Sequence, residues 1–220
     1  MDIPIITIDG ASGTGKGTVS QRLALQFGWH FLDSGALYRV LALAAEKHRI
    51  PFDDVATLEK LAETLAVVFE ENKVLLEGVD VAQTIRTENI GNSASKIAVL
   101  ASVRKALLAR QRAFQKAPGL IADGRDMGTI VFPRAPLKIF LTASPEERAH
   151  RRYRQLKEAG QEASLDSLIK ELLERDTRDK TRAVAPLLPA ADAIIVDTDP
   201  LTIEQVILRI ADAAKIAHLC

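Results

Sequence analysis

Cysteine is nearly absent: the one that occurs is Cys220, the final residue, so neither an internal disulfide nor a cysteine metal cluster is expected. Aromatic residues make up only 5% of the 220 positions and scarcely interleave with the basic segments, where Tyr153 stands among the arginines of 144–159. A nucleic-acid surface would need such rings as stacking platforms, so no nucleic-acid partner is expected. Neither sign of charge is in excess, with 29 basic against 29 acidic side chains. General polyanion affinity is not implied, and any anion site has to come from local clusters of Arg and Lys. No apolar run reaches the roughly 20 residues that a membrane span needs. The first residues carry neither the basic stretch nor the long apolar core of a secretory leader. The expectation is a soluble protein of the reducing cytoplasm with no membrane partner. Internal repeats and low-complexity linkers are missing too. A chain of this length can bury roughly 70% of its unfolded surface, which suits one large domain or a core with a smaller lobe.

What is there begins with a short apolar, β-branched run at residues 3–8 that reads as a buried strand. Asp9 and Gly10 end it, and Val19, Leu23, Ala24 and Phe27 follow with helical spacing. Between strand and helix lie Gly10, Ala11, Ser12, Gly13, Thr14, Gly15, Lys16, Gly17 and Thr18. Glycines let successive backbone N–H groups turn inward, the helix start adds the positive end of its dipole, and Lys16 adds a full charge. This is a seat for a nucleoside triphosphate. The position after the lysine, which commonly supplies a hydroxyl to Mg²⁺, is Gly17, and the hydroxyl comes one later at Thr18. Mg²⁺ is therefore expected to be held mainly by phosphates and water. The bland alternative is a glycine-rich turn that binds nothing; the glycines, the lysine and the preceding strand together weigh against it.

Further along, an apolar stretch at 29–32 ends at Asp33-Ser34-Gly35, and a helix through Leu37, Tyr38, Leu41, Ala44 and Ala45 puts Ser34 at its start, as a cap or a ligand group. A helix is expected over 57–66, then short strands at 67–70, 73–77 and 79–85 with turns at Glu71-Asn72 and Gly78, forming an inserted antiparallel lobe. One helical pattern runs over 93–116, and buried strands are expected at 120–122, 137–141 and 194–196. Ser144-Pro145-Glu146-Glu147 reads as a capping box that opens a basic helix over 144–159, and further helices span 164–181 and 202–217. Strands separated by helices argue for a parallel sheet covered on both faces.

Asp123 ends a strand and is followed by glycine, where an open α/β sheet presents ligand groups, so its carboxylate suits the waters around Mg²⁺; the bland reading is a turn aspartate. Arg125 and Asp126, adjacent in sequence, suit one phosphate and one polar ligand group. Arg175, Arg178, Asp179 and Arg182 share one helix face, where three guanidiniums with one carboxylate would repel without an anion among them. A solvated charged face is the ordinary alternative. The proline-containing loop that follows suggests a mobile helix end. The arginines of the 144–159 helix occupy several faces, as in a cover over phosphates.

The loop ending Gly15-Lys16-Gly17-Thr18, the run from Asp33 through Ser34, Gly35, Ala36, Leu37 and Tyr38 to Arg39, the run Ala122-Asp123-Gly124-Arg125-Asp126-Met127-Gly128, and the Arg175 to Arg182 helix leading into Pro186 resemble the bacterial cytidylate kinases, within the P-loop nucleoside monophosphate kinases. The resemblance covers essentially the whole chain. It implies an α/β P-loop NTPase fold: a five-stranded parallel sheet with helices on both faces, a small inserted antiparallel strand lobe and a short helical lid. One nucleoside monophosphate kinase domain is implied over 1–220, with its core at about 1–33, 118–143 and 183–220, a monophosphate-binding lobe at about 34–117 that carries the strands at about 67–85, and a lid and arginine-helix region at about 144–182. The implied reaction transfers the γ-phosphoryl of ATP to CMP or dCMP with Mg²⁺, in a monomer. Catalysis is expected of Lys16, Asp123, Arg125 and Arg182, and ATP binding of the loop 10–18 and Arg151. Ser34, Ser95, Arg104 and Asp126 are expected around base and sugar, Arg39 and Arg125 on the acceptor phosphate, Arg175 and Asp179 near ribose, and Arg182 on phosphate. A kinase for UMP, AMP or another small anion is a rival. So is a nucleotide switch, although the only Asn-Lys pair, Asn72-Lys73, continues Val74-Leu75 and lacks the guanine-reading aspartate.

Overall fold

In the structure, a computed structural model that describes residues 3–70, 73–158 and 160–219, the first apolar run forms β1, Ile5–Gly10, every residue of which is buried. Glu71 and Asn72 of the expected turn, Ala159 at the expected helix end, and Cys220 lie outside the described residues. Strand β1 is followed by α1 (Lys16–Phe27) and β2 (His30–Asp33). Helix α2 (Ser34–Lys47), α3 (Val55–Thr64), the short strands β3 (Val67–Phe69), β4 (Val74–Leu76) and β5 (Val79–Asp80), and helices α4 (Glu88–Ile97) and α5 (Ala101–Arg112) come next. The chain then runs through β6 (Leu120–Gly124), β7 (Leu137–Thr142), α6 (Pro145–Glu158), α7 (Leu165–Thr181), β8 (Ile194–Asp197) and α8 (Ile203–Ile216). It divides into two compact units, one made of residues up to Leu32 together with those from Phe114 onward, the other of Asp33–Ala113.

The first unit is built on a five-stranded parallel sheet in the order β2-β6-β1-β7-β8. Because β1 is central, it pairs on both sides, Ile6 opposite both Ile121 and Leu137, which is why its sequence is mostly apolar rather than a polar–apolar alternation, with Thr7 and Asp9 buried as well. Ile6, Ile8, Val19, Leu23, Ile121, Leu141 and Ile210 join one core, and fully burying each such side chain stabilises the fold by about 1.5–3 kcal/mol. Helix α1 ends at Gly28 with φ 65°, a left-handed cap that favours glycine. Helix α8 opens with a reciprocal capping box: Thr202 Oγ1 accepts from Gln205 N at 3.3 Å and Thr202 N donates to Gln205 Oε1 at 2.9 Å. The box expected at Ser144 is only half made. Ser144 Oγ accepts from Glu147 N at 3.2 Å, but Ser144 N donates to Asp199, and the Glu147 carboxylate turns to Arg151 at 2.9 Å.

The second unit has its own core, in which Val40, Leu41, Leu58, Ile97, Val103 and Leu107 pack together, and Leu37 of α2 is fully buried. Its three-stranded sheet is antiparallel, in the order β3-β4-β5. The third strand is shorter than the expected 79–85: the Asp80 carboxylate accepts from Ala82 N at 3.0 Å, a local turn that takes the chain out of the ladder and into a 3₁₀ turn at Thr84–Arg86. The single helix expected over 93–116 is two. Leu100 is extended, and Arg104 Nη1 donates at 3.2 Å to the carbonyl of Ala98 at the end of α4. The break lets Ile90 and Ile97 of α4 and Val103 and Leu107 of α5 face the same core.

Candidate active site

Strands β1 and β6 lie side by side with Ile8 opposite Asp123 and Asp9 opposite Gly124, so the loop after β1 and the segment after Asp123 leave the sheet at one edge. Gly15, the residue before α1, has φ 85°, which favours glycine, and the loop's carbonyls are engaged from within and behind. Ala11 O accepts from Lys16 Nζ at 3.2 Å and from Thr14 Oγ1 at 3.0 Å. Ser12 O accepts from Arg148 Nη1 at 3.0 Å. Thr14 O accepts from Thr198 Oγ1 at 3.3 Å. Gly17 occupies the first turn of α1 where a Cβ would stand 3.4 Å from Asp123 Oδ2, which puts that carboxylate beside Lys16 and Thr18 at the helix start.

The turn after β6 is set by a residue of β1. Asp9 Oδ1 accepts from Met127 N and Oδ2 from Gly128 N, both at 2.8 Å, and the backbone then makes a wide π-type turn over Met127–Val131. Burial pushes the Asp9 carboxyl up to about 6 from an ordinary 3.8, against the two N–H groups that favour its charge. Gly128 is required here: a Cβ would come within 2.9 Å of Thr7 Oγ1.

Asp126 and Arg125, adjacent in sequence, each find a partner near the end of α7. Arg125 Nε donates to Asp179 Oδ2 at 3.1 Å, and Arg182 Nη2 stands 3.8 Å from Asp126 Oδ1. Burial raises the Asp179 carboxyl, but the charges of Arg125, Arg175 and Arg182 outweigh it and hold the group below its ordinary range. The arginines of α7 are thus interleaved with buried carboxylates, Asp176 as well as Asp179, which relieves part of the repulsion expected of that face. Arg182 lies just past the helical residues, and two hydrogen bonds link the helix end to the loop that follows: Arg182 Nε donates to Ala185 O, and Leu187 N to Asp179 O at 2.8 Å.

Two arginines of α6 do not form an open cover. Arg148 is 2% exposed and grips Asp176 with both terminal nitrogens, at 3.0 and 2.6 Å. Arg151 donates to Glu147 Oε1 at 2.9 Å and to Thr198 Oγ1 and O at 3.0 and 2.8 Å. The outward face is carried by residues such as Arg154, whose side chain is 66% exposed.

In the second unit, the cap of α2 is Asp33, which accepts from Ala36 N at 3.0 Å, and Ser34 is left to accept from Gln111 Nε2 at 3.0 Å. Arg39 Nη1 donates to Ile85 O at 2.7 Å and Thr87 O at 3.2 Å, and its guanidinium lies where a Cβ on Gly91 would meet it at 2.9 Å. Arg104 is buried with its guanidinium carbon 5.8 Å from the centre of the Tyr38 ring, and Ser95 is buried in α4. Sequence reasoning missed Asp9, Arg148, Asp176 and Thr198. A carboxylate closing an apolar strand was a usable signal for Asp9; the periodicity of α6 held none for Arg148.

Among the described residues no cluster of three or more His, Cys, Asp or Glu side chains could cage a metal, and no helix is long and apolar enough to cross a membrane. Residues 6–216 match the family described as "Cytidylate kinase". The chain is 57% identical over 218 residues to a protein named "Cytidylate kinase" from Marinomonas sp. (strain MWYL1), covering 96% of each, and 59% identical over 215 residues to one of the same name from Nitrosococcus oceani, covering 95% of each. A solved gluconokinase from Sinorhizobium meliloti 1021 aligns with 98% of this chain, and 94% of its own, at 17% identity and a TM-score of 0.48.

Proposed function

The chain belongs to the cytidylate kinase family, and we propose that it transfers the γ-phosphoryl group of ATP to CMP or dCMP, giving ADP and CDP or dCDP. The observation that carries this is the shared edge of β1 and β6, where a phosphate loop with Lys16 and the Asp123–Asp126 segment leave the sheet together. The acceptor phosphate is already an anion at neutral pH, so no general base is needed. In-line attack by its oxygen on the γ-phosphorus spreads negative charge over the transferring group, and positioned cations stabilise that charge. Lys16 and the loop N–H groups take the ATP phosphates, Arg125 and Arg182 the transferring and acceptor phosphates. Asp179, held ionised by its arginines, accepts from a ribose hydroxyl beside Arg175.

The residues at the loop fit Mg²⁺ held through water: Gly17 offers no oxygen, Asp123 lies beside it, and Thr18 follows. Magnesium prefers to keep water and phosphate ligands, and when bound it neutralises charge on the β- and γ-phosphates. In the Asp33–Ala113 unit, Arg39 takes the acceptor phosphate, and Ser34, Ser95 and Arg104 take the nucleoside. Cytosine presents an amino donor where uracil presents a carbonyl, and a ring acceptor where uracil presents N–H. A carboxylate such as that of Asp126 matches the amino group and opposes the carbonyl, a mismatch that is worth up to about 10⁴-fold when the group is buried.

Coupled ADP release measured with CMP, dCMP, UMP, AMP and GMP tests the proposal. CMP and dCMP should turn over far faster than the others; equal or faster turnover of AMP or UMP would assign the chain to a different acceptor.

A further inference from the structure

We propose that Arg148 and Asp176 form a positioning pair that sets the phosphate loop for ATP. The inference rests on the assignment of that loop to ATP above. Arg148 Nη1 reaches both Ser12 O and Asp176 Oδ1 at 3.0 Å, and Nη2 reaches Asp176 Oδ2 at 2.6 Å. A peptide unit is planar and trans, so its carbonyl and its N–H point in opposite directions. Holding the Ser12 carbonyl from behind therefore fixes the direction of the Gly13 N–H on the loop's other side. Gly13 has φ 82°, and a Cβ there would meet Arg148 Cβ at 3.0 Å, so the loop and α6 are also in close contact at that peptide.

Asp176 fixes the guanidinium in turn. Without a bidentate partner the side chain would be free to rotate away from Ser12. Asp176 lies in α7, whose Asp179 binds Arg125, so one helix is tied both to the phosphate loop and to the segment after β6. Stability alone is a poor reason for the pair. Buried ion pairs are often replaced by apolar residues without loss, and Arg148 Nε has no hydrogen-bond partner among the described residues.

The test is a double variant, Arg148→Met with Asp176→Leu, which fills the same space without charge. It should remain folded, with a melting temperature close to that of the wild type. Its kcat/KM for ATP should fall by roughly 10- to 100-fold, the scale for misplacing a preorganised donor, while KM for CMP changes less than about twofold. Arg148→Lys keeps a single charge but cannot span Ser12 O and both Asp176 oxygens, so it should restore part of the loss. A folded double variant with ATP kinetics within about twofold of wild type, or an equal loss on ATP and CMP, would overturn the proposal. If the double variant does not fold, Arg148→Lys decides: an ATP-specific loss in the folded protein supports the pair, and normal ATP kinetics overturn it. Failure of both to fold would make the pair purely structural, which also overturns it. Lys16→Ala measured alongside separates the two levels: full activity there defeats the loop assignment itself, whereas an inactive Lys16→Ala beside normal Arg148 variants defeats only the positioning role.

Discussion

Replacing Asp9 with Asn removes a buried charge whose energetic signature depends on pH in a definite direction. Burial moves this carboxyl from 3.8 up to about 6, so between those values the folded chain binds a proton that the unfolded chain has lost. Stability then falls as pH rises through the window and levels off above it, because the slope follows the difference in bound protons. At about 1.4 kcal/mol for each pH unit of displacement, the total is about 3 kcal/mol. Other carboxylates run the opposite way: Asp179 is held low, so its contribution is present above the unfolded value and is lost as pH falls below it. Those groups are common to both proteins and cancel in the difference. The absolute stability of Asp9→Asn at neutral pH mixes lost charge burial with an amide NH₂ facing one of the N–H groups of Met127 and Gly128. The pH dependence of the difference is cleaner. Denaturant unfolding of both proteins at intervals from about pH 4 to 8 should show wild type losing about 2 kcal/mol of that total relative to the variant on the way up to about pH 6.5, and little further change beyond. A constant difference across that range would refute the buried, proton-binding Asp9.

Lys16→Ala should lower turnover by about 10²-fold or more in a folded protein, since the side chain is partly exposed and its proposed role is charge on phosphate; circular dichroism with steady-state kinetics checks it. Asp126→Ala should lower kcat/KM for CMP by a much larger factor than for UMP. Equal fractional losses would mean that the carboxylate serves Arg182, 3.8 Å away, rather than the base. Hydrogen exchange should divide α6, with the turn around buried Arg148 protected without ligand and the end around Arg154 exchanging fast. An ATP–CMP bisubstrate analogue should slow exchange in the distal half of α6 and around Arg175. Protection equal to that of β1 without ligand, and unchanged with it, would mean that this region does not act as the expected lid.

The parallel sheet was legible because its central strands are short, mostly apolar runs separated by helical patterns, and the phosphate loop because strand, glycines and lysine occur in one span. Helix breaks were less so. The pattern from Ile97 to Leu107 continues in helical register across Leu100, and only the approach of Arg104 to the Ala98 carbonyl shows why the chain turns there. Strand β5 was overextended because Asp80 ends it through a local hydrogen bond to Ala82 that apolar spacing does not register. At the candidate site, sequence reasoning picked residues that would face a ligand, such as Lys16, Arg125 and Asp126. The residues behind them stayed hidden. Arg148 reads as one more cation on a basic helix, and its burial depends on Asp176, 28 positions away. Asp9 was visible as a strand end, but its hold on Met127 and Gly128 requires the pairing of β1 with β6.

Phosphoryl transfer to CMP is followed most directly through the phosphorus itself. ATP labelled in the γ-phosphoryl group is incubated with the protein, Mg²⁺ and CMP, and the products are separated. The label should leave ATP and be recovered in CDP, one CDP for each ADP, with negligible label in inorganic phosphate and transfer by Lys16→Ala slower by about 10²-fold or more. Label accumulating as inorganic phosphate at a rate unaffected by CMP, with no labelled CDP, would contradict it.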